Sequence, residues 1–216
     1  MQAATLSIEQ LMVTMDGRQI LRAVDLQILD REKVALSGPS GCGKSTLLRC
    51  LLGFVPVYSG TIRIGGELLT PTTVWRLRGR MAYVPQEAEL GEGTVQEILE
   101  RPFSFAGNRS LWGNLQRIPQ LLEQLLLPEG LLTERVTDLS GGEKQRIALL
   151  SALLLERRIL LLDEASSALD QVSKQAVIDL LSATAELTVL SVSHDQEWLS
   201  FADRVVNLAE LQGRTS

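Results

Sequence analysis

One run of nine residues constrains this chain more than any other: Gly38-Pro39-Ser40-Gly41-Cys42-Gly43-Lys44-Ser45-Thr46. It satisfies the pattern G-x-x-x-x-G-K-[ST] at every position. A short apolar strand, residues 33–37, leads into it. Residues 47–52 continue as a helix, which Gly53 and Pro56 stop. Glycines let the backbone curl so that successive N–H groups point inward at phosphate oxygens. The helix that starts near Lys44 adds its positive end. Lys44 is placed to reach terminal phosphates, and the Ser45 hydroxyl to ligate Mg²⁺. A plain glycine turn is the competing explanation, but it requires neither the strand before nor the helix after.

The rest of the chain reads as α/β alternation around this loop. Residues 5–13 and 21–29 alternate as strands about the turn Met15-Asp16-Gly17-Arg18. Residues 61–64 and 67–69 form a hairpin around Gly65-Gly66, and residues 80–84 a further strand. From 94 to 132 the apolar spacing turns helical, punctuated by Pro102, Pro119 and Pro128, which predicts a small helical subdomain. Helices are expected at 143–155, 171–185 and 196–201, and strands at 159–162, 188–193 and 204–208. Such alternation implies a mostly parallel sheet with helices on its faces. The expected organisation is one nucleotide-binding unit over 1–216. Its core, with an antiparallel β part, spans 1–86 and 140–211, and its helical subdomain 87–139. Residues 212–216 read as a loose tail.

Composition excludes several classes. With 45% hydrophobic and 22% charged residues the chain is neither disordered nor a disulfide-framed miniprotein. Lys+Arg 21 against Asp+Glu 26 gives −5, so no nucleic-acid partner is expected. The most apolar stretch, 147–162, is broken by Glu156, Arg157 and Arg158, so no segment spans a bilayer. The start, MQAATLSIEQ, lacks the basic and apolar regions of a secretory signal. Cys42 and Cys50 lie about 12 Å apart on one loop and helix, at 1.5 Å per residue, too far for a disulfide.

Residues 159–164 form an apolar strand that delivers Asp163 and Glu164 at its end. In parallel sheets that is where ligands sit. Asp163 suits the Mg²⁺ sphere, and Glu164 can polarise a water for attack on a γ-phosphate.

A second glycine pair follows a hydroxyl and opens a helix in Leu139-Ser140-Gly141-Gly142-Glu143-Lys144-Gln145-Arg146, another helix N-terminus suited to anions. This fragment resembles the signature of ATP-binding-cassette (ABC) ATPases. Gln86, in Tyr83-Val84-Pro85-Gln86, resembles the Q-loop. Ser167-Ala168-Leu169-Asp170 resembles the D-loop, and His194, in Ser191-Val192-Ser193-His194-Asp195, the switch histidine. With the phosphate loop and the acidic strand, the resemblance covers essentially the whole chain.

The resemblance implies a P-loop α/β fold and a head-to-tail, ATP-dependent homodimer enclosing two ATP molecules with Mg²⁺. ATP would be held by residues 38–46. Ser140, Gly141 and Gly142, with Glu143 beside them, would face the γ-phosphate held by the second copy's loop. Gln86 would complete the Mg²⁺ sphere with Ser45 and Asp163. His194 would hydrogen-bond the γ-phosphate and orient the water with Glu164, and Asp170 would connect the two sites. The family places an aromatic under the adenine where this chain has Met15, so weaker base discrimination is expected. Cys42, beside Lys44 and a helix N-terminus, is expected to be alkylated readily and protected by ATP. Arg76, Arg78 and Arg80 read as a solvated edge.

The resemblance further implies a transporter subunit on the cytoplasmic face of a membrane, docked on a multi-span permease through residues 86–105. Leu90, Val95, Ile98, Leu99, Phe103 and Phe105 supply either that apolar surface or subdomain core. The compact length, Trp75-Arg76, Leu127-Pro128 and Glu143-Lys144 are similar to the small Fet-type ATPases assigned to iron or metal export. Amino-acid importers, lipoprotein-releasing ATPases and soluble ABC proteins acting on DNA or ribosomes are the alternatives.

Overall fold

The computed structural model describes residues 4–57 and 59–213. Residues 1–3, and residues 214–216 of the expected tail, lie outside it.

Asp16 and Gly17, at φ 48 and 73, join β1 (Ala4–Met15) to β2 (Arg18–Leu29) in a hairpin. Both turn residues need φ above zero, which Asp tolerates and Gly adopts freely. β4 (Ser59–Ile64) and β5 (Glu67–Leu68) add to β1, giving an antiparallel sheet ordered β2-β1-β4-β5.

The second sheet is parallel and ordered β6-β7-β8-β3-β9. Its strands are β3 (Lys33–Ser37), β6 (Met81–Val84), β7 (Ile159–Asp163), β8 (Thr188–Val192) and β9 (Arg204–Asn207). β7 and β8 are buried throughout, which is why their sequences do not alternate. The pleat of β7 divides the core. Ile159 and Leu161 pack with the antiparallel sheet and α1 (Lys44–Leu51). Leu160 and Leu162 face the cluster around Leu99, Phe103 and Leu150. Fully burying each such leucine contributes about 1.5–3 kcal/mol.

Between β6 and β7 lie α3 (Val95–Ser104), α4 (Ile118–Gln124) and α5 (Gly141–Leu154), with 3₁₀ turns at Ala106–Arg117, Glu129–Thr133 and Val136–Asp138. The helical expectation for 94–132 is therefore met only partly as α-helix. Gly107, Asn108, Gly113 and Asn114 are poor helix formers and fall in the long 3₁₀ stretch. α6 (Gln171–Ala183), α7 (Gln196–Phe201) and α8 (Leu208–Gly213) complete the chain, and α2 (Val74–Arg78) precedes β6.

Two expectations need correction, and one open alternative is resolved. Gln212 is not in a loose tail. It lies on α8, where its amide donates to the Cys42 carbonyl at 2.9 Å and accepts from the Arg22 N–H at 3.1 Å. Val95, Ile98, Leu99 and Phe103 are buried core, so they offer no docking surface; Leu90 is partly buried against them, and of the six only Phe105 is exposed. The three arginines are not simply solvated. Arg76 and Arg80 pair with Glu67, and Arg78 stacks between the exposed rings of Phe54 and Trp75.

Candidate active site

Because β3, β6, β7 and β8 run parallel, their carboxyl ends share one edge. The phosphate loop leaves β3 there, Gln86 follows β6, Asp163 and Glu164 end β7, and His194 follows β8. Residues remote in sequence meet for that reason alone.

The loop from Gly38 to Gly43 carries φ 134, 78 and 101 at Gly38, Gly41 and Gly43. A Cβ at Gly43 would lie 2.7 Å from Leu21 Cδ2 and 3.1 Å from the Ile20 carbonyl. Lys44 is 6% exposed, and its ammonium donates to the carbonyls of Gly38 and Pro39 at 2.8 and 3.0 Å. No carboxylate pairs with it among the described residues. A buried cation held only by carbonyls, beside uncapped helix N–H groups, fits a phosphate ligand. Ser40 is exposed and Thr46 half-buried. Cys42 is half-buried and unpaired, as is buried Cys50, whose thiol burial pushes up to about 12.

The Ser45 hydroxyl donates to Asp163 Oδ1 at 2.9 Å. The Tyr83 hydroxyl donates to Oδ2 of the same carboxylate at 3.3 Å. Serine hydroxyl, carboxylate and the Gln86 amide are hard oxygen donors, the set Mg²⁺ takes.

Glu164 adopts φ 48, a left-handed backbone that costs a non-glycine residue about 1–3 kcal/mol. Its N–H bonds the Val192 carbonyl at 3.0 Å, which holds that conformation. The carboxylate then accepts from the Gln86 amide at 3.1 Å and faces His194 Nε2 at 3.7 Å. Glu164 and His194 border a cleft of about 220 Å³ that Ser167 and Lys174 also line.

The signature segment begins α5. Ser140 accepts from the Glu143 N–H at 3.3 Å, and Glu143 accepts from the Ser140 N–H at 2.8 Å and hydroxyl at 2.7 Å. Those bonds hold the Glu143 carboxyl below its ordinary value. Asp170 caps α6 through the Ser173 N–H and hydroxyl, which likewise lower its pKa. A Cβ at Gly142 would sit 2.9 Å from the Ala168 carbonyl, so glycine lets the signature pack on the D-loop segment. Gly141 has looser contact, with Ala168 at 3.8 Å. Met15 is 43% exposed at the hairpin tip, paired with Arg18.

Sequence reasoning missed several supporting residues. Gln145 donates to the Pro85 carbonyl at 2.9 Å and so ties α5 to the segment before Gln86. Asp195 caps α7 and pairs with Lys174, fixing the chain just after His194. That cation, first among the causes, lowers the Asp195 pKa. Tyr83 was visible only as part of the Q-loop fragment.

A doubly cored α/β unit with a phosphate loop and carboxylates at one sheet edge defines a P-loop nucleotide-hydrolysing domain. The chain belongs to the ABC transporter family, whose profile matches residues 21–167, and it is an ATPase domain of the kind that binds ATP. It is 34% identical over 197 residues to the probable iron export ATP-binding protein FetA of Escherichia coli K12, covering 88% of this chain and 84% of that protein. It is 36% identical over 195 residues to human ATP-binding cassette sub-family B member 6. The chain spans only about a quarter of the length of that protein and its first relatives (23% and 28%).

Among solved structures, a bacterial Atm1-family ABC exporter with ATP bound superposes with TM-score 0.81 at 27% identity, over 95% of this chain and 37% of that one. A dimeric, post-hydrolysis ATP-binding cassette bound to ADP and Pi gives TM-score 0.83 at 27% identity, over 94% and 93%. No helix among the described residues is long and apolar enough to cross a membrane.

Proposed function

We propose that this chain is the ATP-hydrolysing subunit of an exporter-type ABC transporter, acting from the cytoplasmic face on a separate membrane-spanning permease. The observation that carries the hydrolytic reading is Glu164 held between Gln86 and His194 at the sheet edge that bears the phosphate loop. The likeness to an ATP-bound exporter and to a free-standing cassette dimer supports the transporter reading. Likeness to the probable iron export protein makes iron or another metal ion the proposed cargo.

Residues 38–46 would hold the ATP phosphates, with Lys44 beneath them. Ser45, Asp163 and Gln86 would hold Mg²⁺, which neutralises phosphate charge. Glu164 accepts the proton of the attacking water as general base. Gln86 fixes one carboxylate oxygen, and His194 faces the other. Ser140, Gly141 and Gly142 of a second copy complete each site, with Asp170 linking the two copies. The chain acts as one unit, with 87–139 as the helical part inserted into the core.

Glu164→Gln tests this. ATP binding should persist while hydrolysis falls by about 10²–10⁴-fold. ATP should then link monomers into dimers by mass action, read by light scattering. Full hydrolysis in the variant would overturn the assignment of Glu164. Trapped with Mg-ATP in its host, the variant should co-purify with a multi-span membrane protein. Ribosomes or DNA in its place would move the protein to the soluble ABC class.

A further inference from the structure

Asp163 is 3% exposed, and both its oxygens are engaged. Ser45 holds Oδ1, and half-buried Tyr83, on β6, holds Oδ2. A carboxylate can only accept, so the phenolic hydrogen is directed to Asp163.

We infer that Tyr83 is a positioning residue that fixes the rotation of the Asp163 carboxylate and thereby sets the divalent-cation affinity of the nucleotide site. The contacts join three elements: Ser45 on α1, Tyr83 on β6 and Asp163 on β7. Without the hydroxyl, the carboxylate is held through Ser45 alone and can turn about that bond. Partners behind a metal ligand typically change metal affinity by 10–100-fold when removed. The 3.3 Å length of this bond places Tyr83 at the lower end.

This inference rests on the ATPase reading, and the test separates the two. The probe is Mn²⁺, titrated by electron paramagnetic resonance into protein saturated with adenylyl imidodiphosphate. Tyr83→Phe keeps the ring and removes one hydroxyl. It should weaken Mn²⁺ about tenfold and alter the Mn²⁺ spectrum. Nucleotide affinity in chelator should stay unchanged, since Lys44 and the loop are untouched. Mn²⁺ affinity and spectrum equal to the parent's in Tyr83→Phe would overturn the inference. A parent protein that fails to bind Mn²⁺-nucleotide at all would instead sink the ATPase reading.

Discussion

Two helices of this chain start at glycine-rich loops, and they start in opposite ways. α1 begins after Gly43 at φ 101, with no side chain closing its first turn. Its N–H groups stay open, and Lys44 finds only carbonyls. α5 closes on itself, because Ser140 and Glu143 satisfy each other in a capping box. The phosphate loop is thus incomplete without an anion, whereas the signature end is a finished helix terminus. Any anion reaching α5 meets the Glu143 carboxylate already in place. That difference fits the proposal in which the first helix binds nucleotide within one chain and the second meets it only from a second copy.

The largest expected break in that comparison is Gly43→Ala. The new Cβ meets Leu21 and Ile20, and the positive φ adds about 1–3 kcal/mol of strain. Thermal unfolding should drop, and ATP should no longer raise the melting temperature. An ATP-dependent shift like the parent's would show that the open terminus of α1 is not the binding element.

Ser140→Ala should act differently. Loss of a serine cap costs about 1 kcal/mol of stability. ATP affinity of the monomer should be unchanged, but ATP-linked dimers of Glu164→Gln should already dissociate at a higher protein concentration on sedimentation. Weakened monomer binding would erase the distinction between the two termini.

Glu143→Gln sharpens the comparison through pH. The Glu143 carboxyl is held below its ordinary value near 4.5 by the Ser140 hydroxyl and N–H. Its contribution is therefore complete above that value and is lost as pH falls through the lower folded pKa. Glutamine can still cap but does not titrate. Denaturant unfolding of the variant should show a shallower fall in stability on acidification than the parent. Identical acid profiles would mean the capping charge contributes nothing.

The smallest effect is expected at Met15. An exposed thioether at the hairpin tip gives little base contact. Met15→Tyr should tighten ATP over GTP by roughly 2–10-fold, the range of an aromatic stacking contact of about 0.5–1.5 kcal/mol. An unchanged ratio in competition binding would show that other residues cover the adenine.

Much of the fold was legible because its signals are local. β3 and α7 fall where their residues predicted, and most other elements differ only at their ends. The misses have a common cause. Residues 94–105 show an apolar face, but periodicity does not say whether a neighbour covers it. Here α5 and the 3₁₀ turns do, which removes Val95, Ile98, Leu99 and Phe103 from the surface. Gln212 and Gly213, the end of α8, read as tail because a six-residue helix is too short to show a period; its place depends on Gln212 reaching Cys42 and Arg22.

The amino-acid sequence alone determined the phosphate loop, the carboxylates ending β7 and the caps of α5 and α6. These depend on backbone freedom at glycine and on hydrogen bonds between residues three apart, which a short stretch of chain settles by itself. Only the tertiary structure decided that Gln86, Glu164 and His194 meet, that Glu164 is held left-handed by Val192, and that Tyr83 reaches Asp163. Those contacts join residues far apart along the chain. They exist because the order β6-β7-β8-β3 brings four strand ends to one edge, and that order is set by how buried strands pair, not by any segment on its own.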